Sequence, residues 1–250
     1  MADTLGMSAD GSPQLAVADG LATIRFCRPA EHNRIDPGDL AVLMRHFEQV
    51  VANKSVRALV ITGSGDKTFS SGYTVHAIRE HLDDRLERML DTLETLPLPV
   101  ICALNGGAYG GAVDLALCCD FRIGVHGMRM FMPAAKFGLH YYPGGLRRYV
   151  TRLGLNAAKK LFLTALPIET DEMLRIGFLT ELVERSELDA AVARYANAIR
   201  ECEPGVVASM KGFLNRTADG DIDLAKQRAA FEESLRSEEL ALRLGALAKS

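Results

Sequence analysis

The sequence predicts an α/β fold with a helical C-terminal region. Two short apolar runs, residues 56–62 and Val100–Leu104, are each followed by a glycine-containing loop and then by apolar residues at helical spacing. This order is typical of strands that alternate with helices. From Arg147 onward the pattern is almost wholly helical. The chain is therefore expected to place its strands in the first part and a layer of helices in the last part.

The amino-acid composition indicates a globular protein and limits the kinds of partner that it can bind. The chain has 250 residues, of which 48% are hydrophobic, enough to bury a sizeable core. Its 29 Lys and Arg nearly balance 32 Asp and Glu, and a net charge of −3 provides no basic surface for nucleic acid or an anionic membrane. No uninterrupted apolar run approaches the roughly 20 residues that a membrane-spanning helix needs. We expect a partner that is neither nucleic acid nor membrane.

Cysteine and histidine usage is consistent with an ordinary cytoplasmic protein. The cysteines are odd in number, form no Cys-x-x-Cys pair and mostly lie in apolar surroundings, so they are predicted to be reduced core residues. The histidines are too scattered to predict a metal site. The five cysteines are Cys27, Cys102, Cys118, Cys119 and Cys202.

The first elements can be assigned in order. Residues 1–13 are small and polar and are predicted to form a flexible tail. Asp19-Gly20 separates two apolar-rich runs within residues 15–26, which predicts a β-hairpin. A helix follows from Asp36, with Pro37 in its first turn. A second helical pattern covers residues 75–93.

The remaining elements surround a long loop. A buried helix is predicted from Gly110-Gly111, followed by short strands at residues 121–125 and 130–132. Residues 133–145 form a long irregular loop, and long loops in compact domains are often functional. Further helices are predicted at residues 157–164, 170–176, 187–199, 206–215 and 224–244.

Two loops share one organisation and predict a binding site for negative charge. Residues 69–74 and 105–111 each contain small residues and glycine between a strand and a helix. If the loops face each other, the backbone N–H groups of Tyr73 and Gly111 converge. Two convergent N–H groups are what an oxyanion hole requires.

With both loops and their spacing in hand, the chain resembles the crotonase superfamily, the enoyl-CoA hydratase and isomerase family. The resemblance covers nearly the whole chain, and its motifs are specific because they occur together in this order. They are Phe69-Ser-Ser-Gly-Tyr73, Pro99-Val-Ile-Cys-Ala-Leu-Asn-Gly106, Gly110-Gly-Ala-Val-Asp-Leu-Ala-Leu-Cys-Cys-Asp-Phe-Arg-Ile123, Phe137-Gly-Leu139 and Pro143-Gly-Gly145.

The resemblance implies a fold and an assembly. It implies a crotonase-like spiral of β-β-α units over residues 14–195, with residues 196–250 as a helical trimerisation region. Trimers or dimers of trimers are expected. Coenzyme A would be part of an acyl-CoA substrate, so no separate cofactor is expected. A nicotinamide cofactor is disfavoured because residues 105–111 lack the Gly-x-Gly-x-x-Gly spacing.

The resemblance also implies the site residues. The hole formed by Tyr73 and Gly111 would stabilise a thioester enolate, and Asp114 and Tyr141 are the side chains expected to take part in catalysis. Arg28 and Lys249 occupy family positions for coenzyme A phosphate. The acyl-CoA binding residues are expected to be Arg28, Ser71, Gly72, Tyr73, Thr74, Val75, Tyr109, Gly110, Gly111, Pro133, Ala134 and Gly138.

Two departures from the family pattern affect the expected reaction. Family hydratases use paired glutamates, whereas the corresponding positions here are Asp114 and Ala134. Without paired carboxylates, hydration is disfavoured, and decarboxylation or isomerisation is favoured. Asp114 also has a structural alternative, because a carboxylate in the first turn of a helix interacts favourably with the helix dipole. Glu80, Asp83 and Asp84 belong to the helical pattern over residues 75–93. They are either charges on the protein surface or carboxylates that replace the missing glutamate.

Some motifs look most like the methylmalonyl-CoA decarboxylase branch. These motifs are residues 137–142 and 161–168. Tyr141 matches a tyrosine of that branch, whereas Tyr73 stands where that branch has a histidine. Alternatively, Tyr141 and Tyr142 have no catalytic role and only pack their aromatic rings under the loop. A second hypothesis of a different class is a catalytically silent acyl-CoA binding protein, which Ala134 motivates.

Overall fold

The structure, a computed structural model, describes residues 11–247 of the chain. Most of the predicted tail and Lys249 lie outside the described residues. None of the helices within residues 11–247 combines the length and hydropathy needed to cross a bilayer.

The predicted strands are present in the predicted order, beginning with a hairpin that turns at Asp19-Gly20. Four further short strands, at residues 68–70, 107–109, 168–169 and 181–183, were not predicted, and the last two lie in the part that was expected to be helical. Both turn residues have positive φ, 49° for Asp19 and 75° for Gly20, as a tight hairpin turn requires. The strands are β1 (Gln14–Ala18), β2 (Leu21–Phe26), β3 (Ala58–Gly63), β4 (Thr68–Ser70), β5 (Val100–Leu104), β6 (Gly107–Tyr109), β7 (Phe121–Val125), β8 (Arg129–Phe131), β9 (Ile168–Glu169) and β10 (Glu181–Val183).

Helices follow the strands and form most of the last third of the described chain. Short 3-10 turns precede several of them. The helices are α1 (Pro37–Ala52), α2 (Ile78–His81), α3 (Asp84–Glu94), α4 (Gly111–Cys118), α5 (Pro143–Leu153), α6 (Leu155–Thr164), α7 (Thr170–Arg175), α8 (Leu188–Glu201), α9 (Pro204–Ala218), α10 (Leu224–Leu235) and α11 (Glu238–Leu247).

The strands form two sheets that together make a spiral. The larger sheet has the order β1-β2-β3-β5-β7-β10 and is parallel except at the β1/β2 hairpin. The smaller has the order β4-β6-β8-β9 and is parallel except between β8 and β9. In the repeats that begin with β3, β5 and β7, the first strand joins the larger sheet, the second joins the smaller sheet, and a helix follows, whereas β1 and β2 both join the larger sheet. The predicted spiral of β-β-α units is therefore confirmed.

The core lies around the middle strands of the larger sheet. Every residue of β3 and of β5 is buried, as expected of parallel strands that are covered on both faces. Helix α8 packs against β3, β5 and β7. Helix α4 is buried from Ala112 to Cys118, as its nearly continuous apolar sequence predicts.

Two predicted helices are interrupted by residues that favour helix starts. The pattern over residues 75–93 becomes a 3-10 turn, α2 and α3, because Asp83 caps α3 by accepting the Arg85 N–H at 3.0 Å. The pattern over residues 224–244 is broken between α10 and α11. There Ser237 Oγ accepts the Leu240 N–H at 3.2 Å. Helix α8 continues across residue 195, the end of the spiral region that the family resemblance implied.

A buried ionic network joins α3, α4 and α5. Arg148 of α5 is fully buried and donates from Nε to Asp114 Oδ1 of α4 at 2.8 Å. Its Nη1 donates to Asp91 Oδ1 at 2.7 Å and to Glu94 Oε2 at 3.2 Å, both on α3. Because a guanidinium buried without partners would be very costly, these contacts fix the three helices relative to one another.

Glu94 extends this network along α5. Its carboxylate also accepts hydrogen bonds from Arg147 and from Arg152, the latter at 3.3 Å. Burial alone would raise the pKa of Glu94, but hydrogen bonding and the positive charges of Arg147, Arg148 and Arg152 lower its pKa below the ordinary value of 4.5. Glu94 is therefore held as a carboxylate at neutral pH.

We expect Asp114→Asn to lower the free energy of unfolding by about 3–5 kcal/mol, because the change leaves the buried Arg148 charge undercompensated. Urea denaturation followed by circular dichroism measures this loss. The control is Asp84→Asn, since Asp84 is 71% exposed and pairs with Arg88 at the surface. That pair is worth about 0–1 kcal/mol. Similar losses in the two variants would contradict a structural role for the buried pair.

Candidate active site

Three loops meet at one edge of the smaller sheet. Strands β4, β6 and β8 are parallel neighbours, so their carboxyl ends lie side by side. The segments that follow them are residues 71–75, 110–111 and 132–134. The Gly110 N–H donates to the Phe131 carbonyl at 3.0 Å, which ties the second segment to the third. The sheet therefore brings together the two glycine loops that the sequence paired.

Gly72 allows the first two loops to touch through their backbones. Its φ is +82°, and a Cβ at this position would lie 2.4 Å from the Tyr109 carbonyl oxygen and 2.8 Å from the Gly111 nitrogen. Neither contact is tolerable, so a residue other than glycine would push the loops apart. The backbone nitrogen of Gly111 is thus held close to the loop that carries Tyr73.

The backbone N–H groups of Tyr73 and Gly111 have no acceptor within the bridge and the helix to which they belong. Tyr73 forms a parallel bridge with Ile35, in which Ile35 bonds to residues 72 and 74, so the N–H of Tyr73 points away from Ile35. Gly111 is the first residue of α4, and the first N–H groups of a helix have no acceptor within it. A Cβ on Gly111 would lie 3.6 Å from the Tyr73 nitrogen, so the two nitrogens are near neighbours.

These loops border a cavity of about 310 Å³. Helix α3 and the segment before α5 complete its walls. Most of the lining is apolar, which suits a hydrocarbon chain. The apolar residues that α2, α3 and the loops contribute include Val75, Ile78, Leu82, Leu86, Met132 and Leu139.

The structure brings most of the predicted site residues to this cavity. Those on its wall are Ser71, Tyr73, Val75, Gly110, Gly111, Pro133, Ala134 and Tyr141. Others lie just behind the wall, where they shape the loops. Among these, Thr74 donates to Asp36 and to the Ile35 carbonyl, Tyr109 packs on Phe131, and Gly138 ends a 3-10 turn with φ of 68°.

Arg28 lies away from the cavity wall and is engaged by carboxylates. Its Nη1 and Nη2 donate to the two carboxylate oxygens of Asp39 at 2.5 and 3.1 Å, and its Nε lies 3.4 Å from Asp36 Oδ2. Asp36 in turn accepts from Thr74. In this arrangement Arg28 supports the start of α1 and, through Asp36, the loop that carries Tyr73.

Asp114 does not line the cavity. Its side chain is fully buried, Oδ1 accepts from Arg148, and Oδ2 accepts from the hydroxyls of Tyr141, at 3.0 Å, and Tyr142. Each carboxylate oxygen is therefore occupied by groups of the protein. The two tyrosines stand between Asp114 and the cavity, with their rings stacked 4.6 Å apart.

Three tyrosines at the site are held as neutral phenols. Burial, followed by the negative charge of Asp114, raises the pKa of both Tyr141 and Tyr142. Burial likewise raises the pKa of Tyr73, whose hydroxyl donates to the His81 carbonyl at 2.9 Å. The phenol of Tyr73 is therefore occupied by its hydrogen bond to His81, and only the backbone N–H of Tyr73 remains available to a ligand in the cavity.

The cavity also contains carboxylates from α3 and the residue that caps it. Asp83 and Asp84 lie at its rim, whereas Glu80 is not part of the lining. Glu87 lines the cavity as well, and sequence reasoning missed it. The available signal was its place beside the apolar face of α3: Glu87, Asp91 and Glu94 follow one another at helical spacing, next to Leu86 and Leu90.

Comparisons with known proteins agree with this architecture. The family model described as enoyl-CoA hydratase/isomerase matches residues 16–239. The chain is 32% identical to a short-chain-enoyl-CoA hydratase of Clostridium acetobutylicum over 88% of this chain and 87% of that protein. It is 33% identical to a crotonyl-CoA hydratase of Syntrophomonas wolfei subsp. wolfei over 82% of each chain.

A solved structure extends the comparison to the fold. The crystal structure of an enoyl-CoA hydratase/carnithine racemase from Magnetospirillum magneticum superposes with a TM-score of 0.87 at 25% identity, covering 95% of this chain and 92% of that one. The family model spans nearly the whole described chain. The chain therefore belongs to the enoyl-CoA hydratase/isomerase family.

Proposed function

We propose that this protein is an isomerase that moves a double bond along the acyl chain of an acyl-CoA thioester through an enolate. The observation that carries the proposal is the pair of backbone N–H groups, Tyr73 and Gly111, beside an apolar cavity. Removing a proton next to a thioester places negative charge on its oxygen. Prepositioned donors in a dry site stabilise that charge as it develops.

Hydration is disfavoured because adding water to a double bond requires two groups at the site, a general base and a general acid. Ala134, on the cavity wall, has no proton to transfer, and both carboxylate oxygens of Asp114 are bound by Arg148 and the tyrosines. By the family resemblance these are the positions at which hydratases carry glutamates. Isomerisation needs only one group that takes a proton from one carbon and returns it to another.

Decarboxylation is disfavoured by the charge of the cavity. Its lining contains Asp83, Asp84 and Glu87, and within the described chain it contains neither lysine nor arginine. Asp83 and Asp84 are paired with Arg85 and Arg88, but Glu87 has no such partner among the described residues. The second carboxylate of a substrate such as methylmalonyl-CoA would therefore meet the negative charge of Glu87. An uncharged unsaturated acyl chain fits the same lining better.

Offering the purified protein a 3-enoyl-CoA, crotonyl-CoA and methylmalonyl-CoA separates these reactions. We expect the 3-enoyl-CoA to give its conjugated 2-enoyl isomer at unchanged mass, with little gain of water by crotonyl-CoA and little loss of CO₂ from methylmalonyl-CoA. Liquid chromatography with mass spectrometry measures all three. Faster hydration or decarboxylation would contradict the proposal. Tight binding of acyl-CoA without turnover would indicate a catalytically silent binding protein.

Gly111→Pro tests the proposed hole directly. The first residue of a helix accepts proline because its N–H takes no part in the helix, so the variant removes one donor and keeps the start of α4. We expect kcat to fall about 10²–10³-fold. The control, Gly111→Ala, keeps the N–H, and its Cβ would make an ordinary contact 3.6 Å from the Tyr73 nitrogen. Equal losses in both variants would contradict the role of this donor.

We also propose that the protein assembles as a trimer or a dimer of trimers. Support comes from large apolar side chains left exposed on the last helices, including Leu224 at 73% and Leu242 at 70% exposed. Sedimentation equilibrium is expected to give three or six times the chain mass of 27.2 kDa. Leu242→Arg is expected to weaken the assembly. A wild-type monomer at micromolar concentration would contradict it.

A further inference from the structure

Asp83, Asp84 and Glu87 line the cavity, and Glu87 differs from the two aspartates in its lack of a cationic partner among the described residues. Asp83 pairs with Arg85 at 2.9 Å, and Asp84 pairs with Arg88 at 3.4 Å. Both aspartates are exposed at the rim. Among the described residues, Glu87 has no lysine, arginine or histidine within ion-pair distance. Its charge is therefore not neutralised by a neighbouring side chain.

Glu87 is nevertheless held in place. Its Oε1 accepts the backbone N–H of Gly144 at 3.2 Å. Gly144 is the second residue of α5, where the helix dipole favours a carboxylate. A Cβ on Gly144 would lie only 3.0 Å from Oε1, so glycine permits the close approach. The other oxygen, Oε2, has no hydrogen-bond partner within residues 11–247, and Glu87 is one of the residues that line the cavity.

Other polar side chains at the cavity are less suited to carrying a proton to and from carbon. The hydroxyl protons of Tyr141 and Tyr142 are donated to Asp114, and the pKa of each phenol is raised by burial and by that charge. His140 also lines the cavity, but the residue is exposed to solvent, and its Nδ1 lies 2.8 Å from the Tyr141 carbonyl oxygen. Glu87 combines a fixed position with a free carboxylate oxygen.

We propose that Glu87 is the catalytic carboxylate that transfers the proton, an inference that rests on the proposed function. Glu87 Oε2 takes a proton from the α-carbon of the bound thioester. The C–H electron pair moves into the carbonyl, and the resulting enolate oxygen accepts the N–H groups of Tyr73 and Gly111. Glu87, now a carboxylic acid, returns a proton to the γ-carbon as the double bond moves, so one proton is removed, one is added and no other reactant is consumed.

Exchange of α-hydrogens isolates this step from the overall reaction. A saturated acyl-CoA such as butyryl-CoA has no double bond to move. Its α-hydrogens are nevertheless replaced by deuterium in D₂O, because the proton taken up by Glu87 exchanges with solvent before the enolate is reprotonated. We expect Glu87→Gln to slow both exchange and 3-enoyl-CoA isomerisation about 10²–10⁴-fold. Binding of butyryl-CoA, measured by isothermal titration calorimetry, is expected to persist, because glutamine still accepts the Gly144 N–H.

Matched variants distinguish chemistry from folding. Glu80→Gln makes the same change on α2 at a side chain that is 78% exposed and is not part of the cavity lining, and this variant is expected to exchange near the wild-type rate. Glu87→Asp keeps a carboxylate and is expected to recover part of the exchange that Glu87→Gln loses. Exchange by Glu87→Gln at the wild-type rate would overturn the role of Glu87 and leave the proposed function standing. If wild-type protein that binds butyryl-CoA neither exchanges nor isomerises, the proposed function fails too.

Discussion

The buried contact between Arg148 and Asp114 is the interaction on which the rest of the site depends. A guanidinium with no exposed surface must be surrounded by acceptors, and here α3 supplies Asp91 and Glu94 while α4 supplies Asp114. The same carboxylate of Asp114 accepts the hydroxyls of two tyrosines on the cavity wall. One buried charge therefore fixes three helices and one side of the cavity.

A second constraint comes from strand pairing. Because β4, β6 and β8 run parallel in the smaller sheet, the loops after them must meet at a single edge. Glycine at position 72 then decides how closely the first two loops approach. The opposite wall is contributed by α3, whose apolar residues face the core and whose Glu87 lies at the margin of that face. The proposed backbone donors and the proposed catalytic carboxylate thus come from different layers of the fold.

Local chemistry explains which features could be predicted from the sequence. The Asp19-Gly20 hairpin, the glycine loops and the buried α4 depend on residues close together in the chain, so their patterns suffice. The break between α10 and α11 was missed because Ser237 sits in an otherwise continuous helical pattern. The partners of Asp114 and the position of Glu87 depend on contacts between residues far apart in the chain. Arg148, for instance, is 34 positions from Asp114.

The backbone contact at Gly72 sets the spacing of the two loops independently of the side chains that line the cavity. Main-chain atoms set the spacing between the loops of Tyr73 and Gly111, with the Tyr109 carbonyl only 2.4 Å from where a Cβ would stand. Substituting side chains elsewhere on the wall leaves that spacing untouched. Under the proposed function, a chain with this scaffold can exchange one fate of the proposed enolate for another by changing a few residues on α3 or in the loop before α5, while the backbone spacing at Gly72 is retained.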